Sequence, residues 1–138
     1  MKGLVLDCSI TMAWCFDDKA TDFTNSVFDA VEKNDVAVPA IWGLEVANVL
    51  VCAERRGRIT TADSAKFIAF LQELPIRMDE QSSSKAFGDV LSVARSRRLS
   101  AYDAAYLELA MREGYTLATQ DADLRKAASD IGAALFRG

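Results

Sequence analysis

Four carboxylates spread along the chain, Asp7, Glu45, Asp103 and Asp121, are the residues with which this sequence can do chemistry. It contains no histidine, which removes Ser-His-Asp and Cys-His catalysis and every imidazole metal site. Any metal site must therefore be rich in oxygen, and carboxylate and water ligands suit Mg²⁺ or Mn²⁺ rather than zinc. Cys8, Cys15 and Cys52 are odd in number, lack metal-type spacing and lie among apolar residues, so they read as small reduced core residues.

The elements that must position these acids can be read from the hydrophobic pattern. Leu4-Val5-Leu6 is a short apolar run that begins after Gly3 and stops at Asp7, with a hydroxyl, Ser9, two residues on. Its length and boundaries mark a buried strand delivering an acid to its end. The spacing predicts helices over 10–16, 21–33, 40–56, 61–73, 82–97, 101–113 and from 121 or 122 to about 131. Strands are expected at 36–38, 75–78 and 116–119, with a last one at 134–136. Ala86, Phe87, Val90, Leu91 and Ala94 form the expected core face of the helix over 82–97. Strands alternating with helices predict an α/β domain with a mainly parallel sheet, whose strand C-termini open onto one edge where ligands bind.

That topology sends the four acids to one rim. Asp7 ends the first strand, and Asp121 lies just past the fourth. Glu45 and Asp103 lie near the starts of helices that begin at the same edge. Glu45 shares a helical face with Ile41, Asn48, Val49 and Cys52, so a charge is expected to interrupt a core-facing stripe. A buried carboxylate without a partner is costly, and several at one rim repel unless a cation compensates them. Each acid also has a structural explanation. Asp7 or Ser9 fits as a cap of the following helix, Asp121 as the N-cap of the last, and Ser100-Ala101-Tyr102-Asp103 as a variant capping box. Asp123 reads equally as a fifth site acid or a first-turn acid favoured by the helix dipole. Glu45 is too far from a helix start to cap anything, and its structural reading is a half-exposed residue at the rim of the core.

At 138 residues the chain predicts one domain, 1–138, with a core that needs no staples. No apolar run approaches the length of a membrane span and Met1-Lys2-Gly3 begins no signal peptide, so no membrane partner and a cytoplasmic location are expected. The net charge of −4 carries no overall basic signature of a nucleic-acid binder. Arg55, Arg56 and Arg58, with Arg95, Arg97 and Arg98, form two local basic clusters at helix C-termini, where cations are stabilising in any case.

Four segments together resemble the PIN domain, and within it the small VapC-type toxins of toxin–antitoxin pairs. They are Val5-Leu6-Asp7-Cys8-Ser9, Pro39 followed by the helix Leu44 to Leu50 that carries Glu45, Ser100 to Ala110 around Asp103, and Leu117 to Leu124 around Asp121. The resemblance implies a three-layer fold with a central sheet of four or five strands flanked by helices. It implies that Asp7, Glu45, Asp103 and Asp121 form an acidic metal site, with Ser9, Thr119 and Asp123 in supporting positions. It further implies a Mg²⁺- or Mn²⁺-dependent ribonuclease, frequent homodimers, and a cognate antitoxin whose C-terminal tail covers the acidic groove. Phosphate contacts to RNA are then expected from the flanking arginines. Three other readings stay open: a PIN scaffold that only binds, a phosphoacceptor signalling domain, and a phosphatase with a nucleophilic Asp. The last two want acid or lysine partners that are absent here; the phosphatase, for one, would have an acid where this chain has Ser9.

Overall fold

A computed structural model describes the whole chain, residues 1–138. Its order is β1 (Leu4–Leu6), α1 (Cys8–Ala13), a 3₁₀ turn (Asp17–Lys19), α2 (Asp22–Val31), β2 (Val36–Val38), α3 (Ile41–Arg55), α4 (Thr61–Glu73) and β3 (Ile76–Met78). A π-helical turn (Ala86–Val90), α5 (Leu91–Arg97), α6 (Ala101–Glu113), β4 (Thr116–Ala118) and α7 (Ala122–Asp130) complete it. All strand pairs are parallel and the sheet order is β3-β2-β1-β4, with Val5 beside Ala37 on one side and Leu117 on the other. The α/β class and the parallel sheet follow the sequence expectation.

Strand alternation sends successive side chains to opposite faces, and each face carries its own core. Val5, Ala37 and Leu117 pack with Val46, Leu50, Phe67, Leu71, Tyr106 and Leu107. Leu4, Leu6, Val36, Val38 and Ala118 pack on the other side with Ile10, Val27 and Val31. The central strands are buried on both faces, which is why they read as uninterrupted apolar runs. At the other end of β1, the Tyr115 ring lies so close to Gly3 that a Cβ there would stand 2.5 Å from it.

Several expectations are corrected. The last strand reduces to a single parallel bridge, Leu117 to Leu135, at the β4 edge. The helix over 82–97 is not continuous: a turn leads into the π segment, and α5 proper begins at Leu91. The wider π turn takes Phe87 off the core face, leaving it 95% exposed, while Val90 stays buried. The buried stripe of α3 is Val46, Leu50 and Ala53; Ile41, Glu45, Val49 and Cys52 flank it half-buried and Asn48 is exposed. Glu45 therefore borders the core rather than interrupting it.

Candidate functional site

The strand order reverses beside β1: β2 lies on one side of it and β4 on the other. The crevice between the C-terminal ends of β1 and β4 is thus the topological switch point, where open parallel sheets bind ligands. Asp7 ends β1 there, and Thr119 and Asp121 follow β4.

Asp7 is 6% exposed. Its Oδ2 accepts hydrogen bonds from Thr119 Oγ1 at 2.6 Å and Ser9 Oγ at 3.0 Å. Although Asp7 occupies the N-cap position of α1, its side chain makes no capping hydrogen bond; the Cys8 and Ser9 amides only temper its charge. Burial nonetheless pushes its carboxyl above the usual range. Thr119 is fully buried, and its hydroxyl also accepts from the Asp121 amide at 3.1 Å, so one side chain joins the ends of both strands.

The alternative readings now separate. Asp121 is a genuine N-cap, its Oδ2 accepting from the Leu124 amide at 2.8 Å. Asp103 is not capping: Ser100 Oγ accepts from the Asp103 amide, and the Ser100 amide does not donate in return to the Asp103 carboxylate. Asp103 is half-buried and raised by burial, and next by the charges of Asp121, Asp7 and Asp123. Glu45 is also raised by burial, opposed by a hydrogen bond from Tyr106 and reinforced by the charges of Asp7 and Asp103. The ends of β1 and β4 and the N-terminal turns of α3 and α6 thus set the four acids near enough to feel one another's charge, with exposed Asp123 beside them. No three of the acids and cysteines stand close enough to form a ready chelate. Cys8, between Asp7 and Glu45, is pushed up to about 12 by burial first and then by those charges, so its thiol stays protonated.

Sequence reasoning missed Tyr106. Its fully buried hydroxyl donates to Glu45 Oε1 at 2.5 Å, linking α6 to α3 across the core. The available signal was its place one turn after Asp103: a buried tyrosine hydroxyl requires an acceptor, and Glu45 is the acid on the facing helix. Tyr106→Phe is expected to push the Glu45 carboxyl still higher and to cost about 1 kcal/mol of stability, measured by urea unfolding with a titration of Glu45 by NMR.

The two expected arginine clusters differ in their surroundings. Arg58 is held by Asp18 at 3.1 Å and lies over the Phe16 ring. Arg97 and Arg98 do lie near the site, sharing a cleft of about 350 Å³ with Asp123, Lys126 and Asp130. No helix is long and apolar enough to cross a membrane.

Residues 4–130 match the PIN domain family. No protein of curated function matches the sequence. Among solved structures, PAE2754 from Pyrobaculum aerophilum is similar at 23% identity and TM-score 0.68, covering 91% of this chain and 84% of its own. FitAcB from Neisseria gonorrhoeae gives 17% identity and TM-score 0.66, covering 97% and 96%. VapBC2 from Rickettsia felis, bound to a DNA fragment from their promoter, gives 16% identity and TM-score 0.66 over the same shares. At these identities the structures speak for the fold, whereas the family match spans nearly the whole sequence, and on it the chain belongs to the PIN domain family.

Proposed function

We propose that the chain is a divalent-metal-dependent endoribonuclease acting as the toxin of a toxin–antitoxin pair. The observation that carries this reading is the convergence of Asp7, Glu45, Asp103 and Asp121, from four different elements, at the switch point of a PIN fold. Their motifs resemble those of VapC-type toxins, and VapBC2 and FitAcB share the fold.

The donor set fits Mg²⁺ or Mn²⁺. It offers only carboxylate oxygens, and the charge crowding that adds to burial in raising Glu45 and Asp103 is relieved by a cation. Because no ready chelate exists, the ion is held by one or two direct carboxylates and otherwise by water and substrate phosphate, so affinity without RNA is weak. Asp7, Asp103 and Asp121 would hold it, one or two of them directly and the rest, with Glu45, through water. When bound, it supplies Lewis-acid stabilisation of phosphate charge and acidifies an attacking water. Ser9 and Thr119 fix the Asp7 carboxylate, Tyr106 fixes Glu45, and Asp123 is placed to extend the acid set from the first turn of α7. Asp121 both caps α7 and faces the rim, a dual use that holds it rigid.

Two apolar surfaces suit the expected protein partners. A groove of about 290 Å³ between α3 and α4, lined by Trp42, Val46, Leu50, Ile68 and Leu71 among others, fits a segment of the cognate antitoxin. A second patch, with Leu44, Phe87 and Tyr102 exposed beside a cleft of about 290 Å³, fits a second copy of the chain. Phe87→Asp is therefore expected to convert a dimer to a monomer without unfolding, read by light scattering and circular dichroism; a variant of unchanged mass would remove Phe87 from the interface.

The functional reading is tested with protein freed of any co-purifying partner. Single-stranded RNA should be cleaved in Mg²⁺ or Mn²⁺ and left intact in EDTA. Equal cleavage in EDTA would sink the metal mechanism, and a lack of cleavage in every divalent ion would favour a binding module.

A further inference from the structure

An acidic rim repels RNA, so a nuclease of this kind must place cations where they meet the flanking phosphates without being neutralised. Most side-chain cations near acids are already committed: Arg58 to Asp18, Arg77 to Asp35, Arg112 to Asp79 and Glu108, Lys126 to Asp130, and Lys85 to Asp89. The cleft holding Arg97 and Arg98 also contains Asp123 and Asp130, which offset its charge. One cleft differs. Beside Thr119, a cavity of about 350 Å³ is lined by Phe23, Thr119, Gln120, Arg125 and Arg137, with no acid among them.

Arg125 Nη1 donates to the Thr119 carbonyl at 2.9 Å, and its guanidinium carbon stands 5.8 Å from the Phe23 ring centroid. Neither Arg125 nor Arg137 pairs with a carboxylate, in a chain of net charge −4. Thr119, which lines this cleft, is the residue whose hydroxyl donates to Asp7, so the cationic pocket and the acids share a wall. We infer that the Arg125–Arg137 cleft binds the phosphodiester backbone of single-stranded RNA immediately beside the acidic site. The inference rests on the nuclease reading and adds to it the residues that hold the strand. Arg125 is pre-positioned by the carbonyl it already bonds, with its other donors unengaged, while Arg137 supplies a second charge that no internal contact requires.

The test measures binding of a labelled oligouridine RNA in Mg²⁺ as a function of salt, in an Asp7→Asn background that prevents cleavage. Arg125→Gln with Arg137→Gln is expected to weaken binding roughly tenfold and to reduce the log–log salt slope by about 1.4, or about 0.7 for each lost phosphate contact. Arg137→Gln alone, which disturbs no contact of the fold, should remove about half of that slope. Lysine at both positions should restore it, and Arg55→Gln with Arg56→Gln should leave it unchanged. An unaltered slope in Arg137→Gln and in the double variant, while the wild-type protein cleaves RNA in Mg²⁺, overturns the cleft and leaves the nuclease standing. A wild-type protein that neither cleaves nor binds RNA overturns the nuclease reading itself.

Discussion

Asp7→Asn is expected to lower RNA cleavage by about a thousandfold while making the metal-free protein more stable to heat. The two effects together separate a working acid from a structural one. At a structural N-cap, Asn accepts about as well as Asp but loses the attraction of the charge to the helix dipole, so the substitution costs stability. Asp7, however, makes no capping hydrogen bond, and burial raises its carboxyl, so its charge opposes folding at neutral pH. Asn keeps an acceptor for the Thr119 and Ser9 hydroxyls and removes that charge. Cleavage assays and thermal unfolding of the same preparations check both halves. A variant that loses activity and stability in parallel would return Asp7 to the role of a structural cap.

The same sign governs the pH dependence of the metal-free protein. Asp7, Glu45 and Asp103 all titrate above their ordinary values, so the folded state holds more protons than the unfolded state between the ordinary and the raised values. Their contribution becomes more favourable as pH falls through the raised values and reaches its full extent below the ordinary carboxylate range. Burial is the first cause of all three shifts, and at Glu45 and Asp103 the neighbouring carboxylates add to it. A divalent ion offsets that added repulsion without a proton, which links the site's electrostatic cost to its proposed use.

How much of this was legible in the sequence depended on how local the signal was. β1 and β2 are wholly buried apolar triplets and β4 nearly so, and their patterns sufficed. β3 is an edge strand with Arg77 and Met78 exposed, so little burial marked it. Phe87 was misplaced because 3.6-residue periodicity assumes an α-helix, and a π turn breaks that register. Among the site residues, Asp7 and Asp121 could be placed from strand ends alone. Glu45 could be placed from the edge at which its helix starts; only its expected place within a core-facing stripe was wrong, because that stripe flanks the core. The bond from Tyr106 to Glu45 spans 61 positions, and no local pattern announces it. The Arg125–Arg137 pair was likewise invisible, because its two cations are distant in sequence from each other and from every basic cluster.

Arg112→Met is expected to destabilise the fold by about 3 kcal/mol. Arg112 lies in the last turn of α6. Its Nη2 donates to Asp79 Oδ2 at 2.8 Å, and its Nε donates to Glu108 Oε2 at 2.9 Å. Asp79 and Glu108 are 3% and 5% exposed, so removing the guanidinium strands two carboxylates in the interior with nothing to balance them. Asp79 follows β3 and its amide donates to the Val38 carbonyl, so this ion group fastens the edge of the sheet to α6, the helix that carries Asp103 and Tyr106. Arg112 holds the Asp79 carboxyl below the usual carboxylate range. The stabilisation is therefore complete above the ordinary value and is lost as pH falls through the depressed one. Urea unfolding should show the deficit at neutral pH shrinking towards strongly acidic pH, where Asp79 is protonated in both proteins. A deficit independent of pH would mean that Arg112 acts through the packing of its aliphatic stem rather than through its charge.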